Sequence, residues 1–484
     1  MKNYEPVIGL EIHAELETNT KMFCGCRADH ESSTEPNTYI CPVCTALPGA
    51  MPVLNKKAVE QGILVGLALN CSINKVNIFA RKNYFYPDLP KGFQISQYDF
   101  PVASNGWLNI DPGKGEPDQR IRIRRAHLEE DTAKLFHHGH YALVDFNRAG
   151  IPLLEIVSEP DMHSIPSIIS FAQKIRTILR YLKVTSGDME KGVLRFEANI
   201  SVRPLDSTEL RTRTEIKNLN SFRSLAEAAS FEIDRQIQLY EKGLPVIQET
   251  LGWDESKGLT YSQRDKEEAH DYRYFNEPDL PPIVVKDSWI EMISAQMPEL
   301  PEPRNLRFMK DYDLSKEEAS LLTSDRYLAD YFEKVLSFSN SPVRMVLNWL
   351  TVEFSRHINE RNLDLKNIPI PPENLAQLMD LFSTKVINDY STKVILTEMF
   401  STNKNPNEIL AEKNLFQISD IEALESIISR ILSDNSKEVQ EYLSGKENLF
   451  QWFMGQVSRE TKGKSDPQLA RQLLLSALQE LKKG

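Results

Sequence analysis

A chain of 484 residues, with 41% hydrophobic and 26% charged side chains, is long enough for two or three domains and buries a large core without help from disulfides. No apolar run approaches the roughly 20 residues that cross a bilayer, and a net charge of −12 excludes a surface that attracts nucleic acid everywhere, so an RNA partner has to use local basic patches. The N-terminal segment lacks the basic and apolar regions of a secretory leader, so a cytoplasmic protein is expected, with no membrane partner.

From the start to about residue 297, β-branched and aromatic residues are broken often by Pro, Gly, Asn and Asp, the pattern of a sheet-rich region with a few helices. Strands are expected at residues 7–14, 120–128, 141–147, 153–158, 195–203 and 211–217. Apolar spacing predicts amphipathic helices at 164–182 and 221–242, the second stopped by Gly243 and Pro245. Three prolines between Met297 and Pro303 cannot continue a helix or a central strand, so a linker and a domain boundary are placed there. Beyond it the pattern is helical, with runs at 316–336, 343–360, 372–382, 392–400, 419–432 and 468–481. Asn403-Lys404-Asn405-Pro406 marks a weaker second boundary. The fold class is α+β, with domains at 1–297, 298–405 and 406–484.

Cys24-Gly25-Cys26 and Cys41-Pro42-Val43-Cys44 are separated by fourteen residues. Two thiolate pairs on two turns suit one tetrahedral Zn²⁺, and four protein ligands leave no open position, so such a metal is structural. The alternative is a set of reduced structural or redox cysteines. Cys71, outside the cluster, reads as an ordinary buried thiol.

Glu11-Ile12-His13 places two ligand-type side chains on one face of a strand. Similar concentrations occur in His127-Leu128-Glu129-Glu130-Asp131 and around Glu155, which lies between Leu154 and Ile156. Carboxylates lodged among apolar strand neighbours suit a hard divalent ion carrying nucleotide phosphates; the plainer reading is a solvated face or pairing with Arg122, Arg124, Arg125 and Arg148. No phosphate loop or dinucleotide fingerprint is present, and Gly106 to Gly115, with Gly113-Lys114-Gly115, reads as a hairpin turn. The run from Arg81 to Gln94 interleaves basic and aromatic residues that either pack or stack on a nucleotide. His270-Asp271-Tyr272-Arg273-Tyr274 is a site loop or a plain edge. Arg459, Lys462 and Lys464 flank Gly463 before a helix near Pro467, and suit either an RNA backbone contact or a solvated turn.

Together, Ile8-Gly9-Leu10-Glu11-Ile12-His13, the cysteine cluster with Leu47-Pro48-Gly49, and the run from Asn83 to Gly92 resemble the GatB/GatE family of tRNA-dependent amidotransferases. The segments 127–131, 152–161, 214–222, 271–275 and the tail from Phe453 to Gln468 are also similar to that family, so the likeness covers essentially the whole chain. GatE members carry a large extra domain for which 484 residues leave no room, which favours the GatB branch. The resemblance implies a cradle that uses ATP to phosphorylate the side-chain carboxylate of Glu-tRNA(Gln) or Asp-tRNA(Asn). It also implies ammonia from a glutaminase partner, GatA, a small GatC component, and a tail domain on the tRNA. By motif, His13, Glu129 and Glu155 would hold a catalytic Mg²⁺, with Glu11 near a second, ATP-associated ion and Tyr84 and Lys91 near the mouth of an ammonia path. Two departures, Phe196-Glu197 where many relatives read Cys-Asp and Asn276 where Pro is usual, are expected to leave the magnesium ligands untouched. The competing reading is a zinc-stabilised RNA-binding scaffold without catalysis.

Overall fold

Strict alternation shapes the strand Tyr4–Glu15: Ile8, Leu10, Ile12 and Ala14 are fully buried on one face while Glu11 and His13 project from the other. In the computed structural model, which describes residues 3–29, 35–113, 115–265, 272–418 and 420–483, this strand lies at the centre of a nine-stranded sheet. On one side follow Leu194–Pro204, Thr214–Leu219, Glu249–Asp254 and Leu259–Asp265; on the other, Pro152–Ser158, Gln119–Glu130, Ala103–Ile110 and Ser72–Ile73. All pairings are antiparallel except that between Thr214–Leu219 and Glu249–Asp254.

Helices Ile165–Tyr181 and Phe222–Glu241 cover the apolar face. Phe171, Ile175, Ile178, Leu225 and Ala228 join Leu10, Ile12, Ile156 and Ala198 in one core. Each helix starts where a serine hydroxyl satisfies a free backbone N–H: Ser164 caps Ser167 and Ser221 caps Ser224. With that face sealed, the polar face of the same strands is left to form a site.

Several expectations are corrected. The strand expected at 211–217 begins only at Thr214, and the one expected at 141–147 forms a separate two-stranded ribbon, Lys134–His138 with Tyr141–Asp145. Gly106 belongs to no turn: it lies inside the strand Ala103–Ile110, and the turn that closes the hairpin to Gln119–Glu130 contains Gly113 and Gly115, at φ +68° and +84°. Lys114 lies outside the described residues. A Cβ on Gly106 would meet the Cys71 Sγ at 2.3 Å and the Leu69 carbonyl oxygen at 2.6 Å. Gly106→Ala is therefore expected to cost about 1–3 kcal/mol in denaturant unfolding, and an unchanged midpoint would refute that close approach. Cys71 is the buried thiol expected.

The chain divides into two compact units, Met1–Arg304 and Asn305–Gly484. The supposed linker is not irregular at its end: Pro301–Tyr312 is a helix, because prolines in a first turn lose no hydrogen bond. The run expected at 316–336 is two helices, Lys316–Thr323 and Arg326–Phe338, divided where Asp325 accepts from the Tyr327 and Leu328 amides. Residues 343–360 are continuous but pass through a π-helical turn, Trp349–Phe354. The helix expected at 419–432 is Ile421–Asp434; Ser419 lies outside the described residues. The second unit holds two separate buried clusters, one from Phe308 to Leu415 and one from Ile428 to Leu478. No helix among the described residues is long and apolar enough to cross a membrane.

Candidate active site

Register across four central strands collects the polar side chains. His13 stands opposite Glu155 on one side and Arg195 on the other, Glu155 stands opposite His127, and Glu11 opposite Glu197. Residues two apart on a strand share a face, so Glu129 joins His127. The result is a row of imidazoles and carboxylates over a sealed core.

One group consists of His13, Glu129 and Glu155, each offering a ligand atom within 4.8 Å of the others. His13 Nε2 is 3.3 Å from Glu155 and 3.9 Å from Glu129. Ser96 donates to Glu129 at 3.2 Å. Burial works against a charged His13, but the Glu155 hydrogen bond and the surrounding carboxylates raise it to about 9. Burial, then repulsion from Glu155, pushes Glu129 up to about 7. Burial also opposes a charged Glu155, but His127, His13 and Lys82 hold it well below the usual range. The site thus carries mutually repelling carboxylates offset by a proton on His13, a conflict that a divalent cation in place of that proton would relieve.

A second group was only partly foreseen. Glu11 meets Glu197 and Glu215 rather than the first three residues. Burial and then Glu155, Glu197 and Glu215 raise the Glu11 pKa. Lys217 Nζ lies 2.9 Å from Glu197 and 3.6 Å from Glu215, and holds Glu197 at about 2 against the effect of burial. Asn199 Nδ2 donates to Glu11 at 2.8 Å, while its Oδ1 is buried with no partner among the described residues. Three carboxylates and a free amide oxygen are hard donors of the kind that hold Mg²⁺. The expectation that the departure at 196–197 leaves the ligand set untouched is therefore corrected, since Glu197 touches the Glu11 group. Glu215 was missed as a ligand; its only signal was the alternation Thr214-Glu215-Ile216-Lys217.

His127 was also passed over. Its Nε2 is 3.4 Å from Glu155, its Nδ1 is buried without a partner among the described residues, and burial first, then nearby Arg125 and Lys82, bring it down to about 4, leaving it neutral. Lys82, from the basic and aromatic run, lies 5.0 Å from the Tyr272 ring centre; burial opposes its charge, but Tyr274, Glu129 and Glu155 raise its pKa. Tyr274 stacks on Tyr98 at 4.3 Å. His270 and Asp271 lie outside the described residues.

Lys91 and Tyr84 are not brought to one cavity. Lys91 Nζ is 2.7 Å from Glu130 and lines a cavity of about 220 Å³ with Lys21, Cys24, Cys44 and Arg81, whereas Tyr84 packs with Tyr86 and Tyr272. Asp131 pairs with Arg195 at 2.7 Å and Arg148 at 3.8 Å and takes no part in either acidic group.

The four cluster sulfurs of Cys24, Cys26, Cys41 and Cys44 lie within 4.8 Å of one another, and Cys41 and Cys44 are 3.9 Å apart. A tetrahedron with Zn–S bonds of about 2.3 Å has an edge of about 3.8 Å, so the set fits zinc. Hydrogen bonding from Cys24, against burial, and Lys21 Nζ at 3.8 Å bring Cys44 down to about 5, which favours a thiolate. In the tail, Arg459 and Lys462 are exposed, and Lys464 donates to the Asn414 carbonyl.

A family model described as the GatB/GatE catalytic domain matches residues 6–291, and one described as the GatB domain matches residues 330–478. Among curated relatives, the GatB-type component of the aspartyl/glutamyl-tRNA(Asn/Gln) amidotransferase of Caldanaerobacter subterraneus is 48% identical over 476 residues, covering 98% of this chain and 99% of the relative. The protein of the same name from Thermodesulfovibrio yellowstonii is 48% identical over 478 residues, with 99% and 100% covered. The one from Persephonella marina is 45% identical over 475 residues, with 98% and 99% covered.

Proposed function

The chain belongs to the GatB/GatE family, and from that premise we propose that it is the activating component of a tRNA-dependent amidotransferase. It would phosphorylate the side-chain carboxylate of Glu-tRNA(Gln), Asp-tRNA(Asn) or both with ATP, and pass the acyl phosphate to ammonia. The observation that carries this reading is the pair of acidic groups, His13/Glu129/Glu155 and Glu11/Glu197/Glu215, side by side on the open face of one sheet.

The chemistry follows from the groups present. A carboxylate is a poor acyl donor; transfer of the terminal phosphoryl group to its oxygen creates a leaving group, and attack by ammonia at the carbonyl carbon expels phosphate and leaves the amide. His13, Glu129 and Glu155 would hold one Mg²⁺, and Glu11, Glu197 and Glu215 a second that accompanies ATP. Bound magnesium would offset charge on the phosphoryl oxygens. Lys217 and Lys82 add fixed positive charge at the two ends of the row, so the face as a whole tolerates the phosphates despite its carboxylates.

Zinc on Cys24, Cys26, Cys41 and Cys44 would be structural. Ammonia would come from a GatA partner, with GatC completing the complex, and the Lys91–Glu130 cavity would lie on its way in. A three-part division, with a cradle at 1–297, a helical domain at 298–405 and a tail at 406–484, is part of the same proposal, as is contact of Arg459, Lys462 and Lys464 with tRNA.

The test is a transamidation assay with the GatA and GatC partners and both mischarged tRNAs. ATP-dependent amidation of at least one is expected, with no glutamine hydrolysis by this chain alone. Glutaminase activity in the isolated chain would overturn the division of labour.

A further inference from the structure

The strand Gln119–Glu130 carries four arginines toward one end, and three of them differ from the fourth. Arg122 is held by Asp161 at 2.6 Å, Arg124 by Glu159 at 2.8 Å, and Arg120 stacks on Trp107 at 4.0 Å. Arg125 forms no ion pair among the described residues, and its buried Nε has no hydrogen-bond partner. The pairing with Pro152–Ser158 shifts register between Val157 and Ser158, opposite Arg125 and Ile123. That bulge places Arg124 and Arg125 together on the wall of a cavity of about 450 Å³, with Asn74, Tyr98 and Ser104. Lys75, on the same wall, is already paired with Asp287.

An unpaired guanidinium beside a cavity, 5.7 Å from a tyrosine that is itself stacked on another, is the equipment for a phosphate with an attached base. Position decides which phosphate. In sheet order, Gln119–Glu130 is three strand spacings from Leu194–Pro204, which bears Glu197, or about 14 Å. A nucleotide whose phosphates sit over the Glu11/Glu197/Glu215 group does not reach Arg125 with the same phosphates. Resting on the function proposed above, we infer that Arg125 and its cavity bind the phosphate of the 3′-terminal nucleotide of the aminoacyl-tRNA. That end enters on the flank opposite ATP and delivers its carboxylate to the His13/Glu129/Glu155 group between them.

The test uses the assembled three-component enzyme with Arg125→Gln and Arg125→Lys. For Arg125→Gln, the KM for mischarged tRNA is expected to rise about ten- to a hundredfold, the loss of one charge-assisted hydrogen bond to a charged group. The KM for ATP should stay within about twofold. Lysine should restore part of the loss, since it keeps the charge without the fork. Binding of an RNA minihelix with a single-stranded 3′ end, measured without turnover, should weaken by a similar factor. A rise in the KM for ATP instead, or minihelix affinity unchanged in both variants, would overturn the assignment. Absence of ATP-dependent amidation by the wild-type complex, alongside weakened minihelix binding in Arg125→Gln, would count against the proposed function and leave the RNA subsite standing.

Discussion

Glu155→Ala is expected to lower acyl phosphate formation by about 10²–10³-fold, the loss typical of removing one group that stabilises transition-state charge. Glu155 is the hinge of the first acidic group, 3.3 Å from His13 and 3.4 Å from His127. Without it His13 loses the hydrogen bond that keeps it charged, and the set falls to one carboxylate and one imidazole, too few to hold a divalent ion firmly. Glu155→Gln keeps the shape and removes the charge, so it should behave similarly. Stability should move the other way. The carboxylates repel each other inside a buried face, as the rise of Glu129 to about 7 records, so the melting temperature of either variant should hold or increase. Hydroxylamine trapping of the acyl phosphate, with a titration of Mg²⁺ and Mn²⁺, separates these effects. Activity undiminished at low metal concentration would remove the metal role of this group.

Cys41→Ser is expected to abolish zinc binding and to loosen the segment that carries the cluster. Among the described residues from Lys21 to Asn55 there is no helix or extended strand, only turns and single bridges, so little besides the cluster fixes this part of the chain. Structural zinc contributes on the order of 10 kcal/mol to small modules that depend on it; here the loss should stay local, because the main core does not run through the cysteines. Metal analysis should fall from about one zinc per chain to near zero, and limited proteolysis should cut within this segment while the remaining sheet stays protected. Since Cys24 and Cys44 line the Lys91–Glu130 cavity, glutamine-dependent amidation should suffer more than phosphorylation. Wild-type protein with four freely reactive thiols and no zinc would sink the site.

Local rules carried far along this chain. Apolar residues at helical spacing placed Ile165–Tyr181 and Phe222–Glu241 because a helix repeats on itself every few residues and needs no distant partner. The cysteine spacing gathered its four sulfurs for the same reason, two tight turns that are local by construction. Local rules failed where the deciding contact was distant or where position within an element mattered. Pro301 begins a helix because a first turn tolerates proline, and Gly106 serves close packing against Cys71 rather than a turn.

By itself, then, the sequence determined the α+β class, the strands that carry Glu11, His13, Glu129 and Glu155, the thiol cluster, and a family resemblance that the full-length relatives bear out. Only the tertiary structure decided which carboxylates meet. Glu11 was expected beside the His13 group, yet it joins Glu197 and Glu215, and His127 and Arg125 entered the site unannounced. The reason is register: strand alternation says which face a side chain takes, but only pairing between segments more than a hundred residues apart says which side chain stands opposite it.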